Sequence, residues 1–111
     1  MQFAQEKEYV ALKNIAMQRI DEFRALAHQE QEDVIKYAIL NIAFYLEDGL
    51  STSHSKDYFT DIQRMLNNNL RILQETSVSL LQLAHAVIDV AFACLTHIEI
   101  YSTPLFNRHG H

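Results

Sequence analysis

Residues 59–101 read FTDIQRMLNNNLRILQETSVSLLQLAHAVIDVAFACLTHIEIY. Every seventh residue in this stretch is apolar: Phe59, Leu66, Leu73, Leu80, Val87, Cys94 and Tyr101. A helix completes two turns in about seven residues, so the ladder lies along one helical face. No glycine or proline interrupts it. The ladder predicts helix across most of the second half of the chain, with these residues facing inward. Its flanks are unequal. Up to Leu73 the apolar stripe is narrow, whereas from Leu80 onward Leu81, Leu83, Ile88, Val90 and Leu95 join it. That width exceeds what one partner helix covers, which predicts the edge of a multi-helix core rather than a two-stranded zipper. Ala84 and Ala91, on the neighbouring positions of the repeat, leave room for another helix to approach closely.

Composition carries the same prediction to the rest of the chain. Two glycines and one proline in 111 residues are too few for the many turns of a β-rich fold. With 49% hydrophobic residues and no low-complexity tract, the expectation is one all-α domain with few connections.

The clearest boundary is the run EDGLSTSHS at 47–55. Gly49 fits the left-handed position that closes a helix. Ser53 or Ser55 fits the cap of the next, with Asp57 in its first turn where the helix dipole favours an acid. At the far end Pro104 is expected to stop the last helix near 101–102. This gives a bundle domain over 1–104 and a flexible tail over 105–111. In the first half Tyr9, Ala16, Phe23, Tyr37 and Phe44 share one seven-residue phase, with Glu30 as the exception. Around Glu30 lies HQEQED at 28–33, polar on every side. That run either bends the chain between two helices or crosses solvent within one. Asn67-Asn68-Asn69 and Glu75-Thr76-Ser77 are further possible breaks, although the apolar phase passes through both.

Two architectures satisfy these constraints, and both are antiparallel helical bundles. One has four helices in a single chain, at roughly 3–28, 32–47, 56–74 and 77–102. The other is a two-helix hairpin over 3–47 and 56–102, each arm roughly 65–70 Å long, dimerising into a four-helix bundle.

The function classes narrow by exclusion. The net charge is −5, and the nine Lys and Arg residues are scattered singly, so no nucleic-acid partner is expected. The longest apolar stretch, 78–100, carries Gln82, His85, Asp89, His97 and Glu99, so no membrane span is expected. The N-terminus MQFAQEKEYV lacks the pattern of a signal or transit peptide, which gives a cytoplasmic expectation. Cys94 sits in the apolar ladder and reads as a buried small hydrophobe.

Six histidines raise the question of metal. No Glu is followed three residues later by His, and neither His-Glu-x-x-His nor a cysteine pair occurs. The pairs His28/Glu32 and His85/Asp89 have i,i+4 spacing and could each offer two ligands from one face, but the heptad phase turns both outward. Exposed helix-supporting pairs are the preferred reading, with no metal or cofactor expected. Nucleophile turns and phosphate-cradling loops are absent as well.

What remains is apolar surface. Between 34 and 46 only Lys36 and Asn41 are polar. A helix apolar on all sides is buried on all sides, and a 111-residue bundle has little interior for it. The expected remedy is a partner, either a second copy (a homodimer) or another protein. Tyr37, Phe44, Tyr45, Leu81, Ile88 and Leu95 are the candidate contact residues. The lead expectation is a small non-enzymatic helical interaction module, such as an adaptor, an assembly or secretion chaperone, or an immunity-type inhibitor. The alternative is a ligand- or metal-binding bundle using His85 and Asp89, with His28 and Glu32 as further candidates.

Overall fold

The structure is a computed structural model that describes residues 2–51 and 56–109, with side chains over 8–51 and 60–94. Four helices pack against one another: α1 (Gln2–Ala25), α2 (Asp33–Ser51), α3 (Lys56–Thr76) and α4 (Val78–His109), with a 3-10 turn at Leu26–Gln29. Among the described residues there is no strand. The all-α helical bundle expected from the sequence is therefore the fold, with four packed helices in place of two unbroken arms. The long dimension is 53 Å, short of the length a straight arm would need.

Each break has a local cause. At the end of α1 the chain tightens into the 3-10 turn, and Glu30 then goes extended, with φ −84° and ψ 129°. The Glu30 carboxylate accepts from the Glu32 N–H at 3.2 Å, and the Glu32 carbonyl accepts the first bond of α2, from the Lys36 N–H at 2.9 Å. Asp33 then begins α2 where the dipole favours an acid. At the other break a single residue intervenes. The Ser77 N–H still bonds the Leu73 carbonyl at 2.7 Å, and the Leu81 N–H bonds the Ser77 carbonyl at 3.0 Å. The Leu80 N–H turns instead to Ser77 Oγ at 3.3 Å, an N-cap bond. Ser77 is thus a bend between two helical segments.

Helix α2 is the hub. It packs against α1, α3 and α4, while α4 packs along α1. Ile39, Ile42, Leu46 and Leu50 of α2 are fully or almost fully buried, against Ile20 and Phe23 of α1, Leu66 and Leu73 of α3, and Ala84, Ala91 and Cys94 of α4 within one core. Leu66, Leu73, Val87 and Cys94 show that the ladder does mark the inner face, and Leu80 packs partly buried against it. Phe59 and Tyr101 fall outside the described side chains.

Several sequence expectations are corrected. Gly49 does not end α2 in a left-handed conformation. It is buried within the helix, no glycine among the described residues has positive φ, and α2 ends two residues later. There Ser51 Oγ bonds the Glu47 carbonyl at 2.8 Å, satisfying a terminal acceptor without a glycine cap. Ser53 and Ser55 lie outside the described residues. Nor does Pro104 end α4, which continues to His109. A proline removes one N–H and strains one turn, a local cost that a helix can carry when the residues on both sides stay helical. The tail expected over 105–111 is therefore helical as far as His109.

A candidate interaction surface on the outer face of the second helix

Helix α2 divides its apolar residues between two faces. Ile35, Ala38, Ile39, Ile42, Ala43 and Leu46 face the core. Val34, Tyr37, Asn41 and Phe44 follow i, i+3, i+7 and i+10, which is one stripe on the opposite side. Val34 is 58% exposed, Tyr37 59% and Phe44 62%. The bundle thus leaves this face of α2 uncovered within the chain. The break at 26–32 is the reason: it rotates α2, so that Tyr37 and Phe44, in phase with the buried Ala16 and Phe23, emerge on the outside.

Neighbouring elements fix the stripe in place. The Phe44 and Tyr45 rings meet edge to face, centroids 5.5 Å apart at 71°. Tyr45 is half-buried against the core, so it braces the exposed Phe44 ring. Beside it, Asn41 Nδ2 donates to Asn69 Oδ1 of α3 at 3.2 Å, and Asn69 Nδ2 donates to the Met65 carbonyl at 2.7 Å. Helices α2 and α3 pack together across a link of residues 52–55, short enough to make them antiparallel. The asparagine pair therefore sets Met65 at the level of Phe44, and Met65 is also exposed, at 41%.

The other candidates behave differently. Leu81 is half-buried and packs against the core. Ile88 is buried, so its place among the contact residues is corrected: it packs in the core, whereas Leu83 of the same widened stripe is 49% exposed. Leu95 lies outside the described side chains. Val34 and Met65 were missed. Val34 carried a signal, since it opens the apolar run at 34–46, but Met65 stands alone in a polar neighbourhood.

His85 and Asp89 are exposed on the outer side of α4, one helical turn apart. His28 and Glu32 are not a helical pair, because the 3-10 turn and the extended Glu30 separate them. No group of three or more His, Cys, Asp and Glu comes together among the described residues. No helix among them is long and apolar enough to cross a membrane.

No known protein family, curated protein or solved structure matches this chain.

Cys94 is a buried free thiol within the core. It lies on α4 against α1, hydrogen-bonded with the Tyr9 side chain and near Lys13. Burial pushes its thiol above the ordinary range, outweighing the Lys13 charge and the Tyr9 hydrogen bond, which pull it down. Burial likewise raises Tyr9, helped by Cys94. The thiol therefore stays protonated and inert near neutrality. Both shifts mean that the fold holds these protons more tightly than the unfolded chain does. The stabilisation is complete below the ordinary thiol value and is lost as pH rises above it. Thermal unfolding is expected to show a midpoint that is flat through neutrality and falls on the alkaline side. The paired Tyr9→Phe and Cys94→Ala substitutions should flatten that fall, and an unchanged slope in the variant would show that other groups cause it.

Proposed function

We propose that this chain is a small non-enzymatic helical interaction module that pairs with a second copy through the outer face of α2. The observation that carries this reading is the stripe Val34, Tyr37 and Phe44, joined by Met65 from α3. Together they expose on the order of 400 Å² of largely apolar surface, about half of what one partner contributes to a stable dimer. The stripe would form the centre of an interface, with Asn41 as a polar group within it and the flanking polar residues as its rim.

Charge is compatible with the same face. Two copies of a chain with net charge −5 repel each other, so a face without acids favours their meeting. Between Asp33 and Glu47 helix α2 carries no acidic residue and a single charge, Lys36. A two-fold axis through this stripe would set Tyr37 and Phe44 of one copy against those of the other, self-complementary contacts of the usual dimer kind.

Light scattering coupled to size exclusion tests the proposal. The expected result is a concentration-dependent species of twice the 12.9 kDa chain mass. Phe44→Glu, which places an acid on an exposed site, should weaken the pairing by at least about tenfold while leaving the thermal midpoint within a few degrees. A single-chain mass at every concentration would overturn the proposal.

A further inference from the structure

The two breaks in the bundle lie at one level. The Tyr9–Cys94 contact fixes how α1 runs against α4, and the Asn41–Asn69 contact fixes how α2 runs against α3. Counting along the first pair of helices from Tyr9 and Cys94, Ser77 falls opposite residue 26. Counting along the second from Asn41 and Asn69, it falls opposite residue 33. The irregular segment of the first half, 26–32, fills that interval. The fold is thus a helical hairpin bent across a single line. One half is α1 with α4, and the other is α2 with α3. The halves join through packing of α2 on α1 and on α4, and through the ion pair between Arg24, at the end of α1, and Glu47 of α2.

Neither crossing is built as a rigid stop. Segment 26–32 contains no glycine or proline, and Ser77 keeps helical backbone bonds on both sides. The apolar ladder passes through Ser77 without a change of phase. The cap on the Leu80 N–H is what the bend gains at that point, and a continuous helix would replace it with a bond to the Thr76 carbonyl.

We propose that the chain opens along this line and exchanges halves with a second copy, so that the α1–α4 half of each chain packs on the α2–α3 half of the other. This mode of pairing goes beyond the α2-face dimer and uses different contacts. Its occupant is a second copy because the surfaces bared on opening are those the same chain covers when closed, and an identical chain re-covers them without any new complementarity. Only the conformation at the two crossings differs between closed monomer and exchanged dimer.

Two variants test it. Ser77→Ala removes the cap and favours continuous helix, so the exchanged dimer should gain on the order of thirtyfold in association constant, the two chains each losing one cap worth about fivefold. A gain that persists when Phe44→Glu is added separates exchange from pairing through the α2 face. For the second test, cysteines are placed by Arg24→Cys and Glu47→Cys in a Cys94→Ala background and bridged with a short bis-maleimide. In an exchanged dimer the bridge joins two chains and denaturing electrophoresis gives twice the chain mass. If an isolated dimer yields only internally bridged single chains, exchange is overturned and the α2-face proposal stands. If neither the parent chain nor Ser77→Ala forms any dimer, both proposals fall. Should the bridged variant not fold, the Ser77→Ala and Phe44→Glu combination decides alone: no gain in dimer overturns exchange.

Discussion

Leu46→Ala is expected to destabilise the chain by about 2–5 kcal/mol. Leu46 is fully buried in the helix that touches all three others, so its truncation opens space that no single neighbour can fill. Loss of transfer energy and a residual cavity add together at such a site. For a domain of this size a loss of 1 kcal/mol lowers the thermal midpoint by roughly 4–8 °C, so the shift should exceed about 10 °C. Denaturant titration followed by circular dichroism measures it. A loss below about 1 kcal/mol would show that the α2 centre is loosely packed. Leu40→Ala is the control, since its side chain is only partly buried at the edge of the same helix.

Overpacking the opposite side of the core gives the second large effect. Ala91 is fully buried on α4, between Val87 and Cys94 on the inner face. Ala91→Phe must either displace α4 from α1 or force neighbouring side chains out of their rotamers, at a cost of about 1–3 kcal/mol or more. Because α1 packs along α4, the strain should reach the Tyr9–Cys94 contact. Thiol labelling of Cys94 in the variant is therefore expected to be faster than in the parent chain under native conditions. Unchanged labelling together with unchanged stability would mean that the α1–α4 interface has spare room.

The buried ladder was legible because its residues repeat at the helical period, and the period survives the bend at Ser77. Survival of the phase was also what disguised the bend. Ser77 interrupts three backbone bonds without rotating the inner face, so hydrophobic pattern alone could not separate one helix from two. The first half shows the opposite case. Tyr37 and Phe44 share a phase with Phe23, yet the irregular 26–32 segment turns them outward while Ile35 and Ile39 turn in. Phase predicts a shared face only while the helix is continuous. Ile88 misled for a related reason: a broad apolar stripe says that many neighbours are needed, but not whether they come from the same chain. Gly49 and Pro104 were read from their preferences, and helix continues through both. Of the candidate surface, the α2 aromatics were legible as an excess of apolar residues on one short helix. Met65 was not, because it stands in a polar neighbourhood of α3.

Asn69 is 7% exposed and is the one buried polar residue among the described side chains. Its amide is spent on two partners, Asn41 across the interface and the Met65 carbonyl within α3. If α3 slid along α2 by one turn, leucines would still meet isoleucines and the apolar fit would change little. The amide, however, would leave Asn41 behind and sit among hydrocarbon with a dangling oxygen, a penalty of about 1–3 kcal/mol. The asparagine therefore works as a detent: it adds little to the strength of the α2–α3 contact, and it decides where along its length that contact comes to rest.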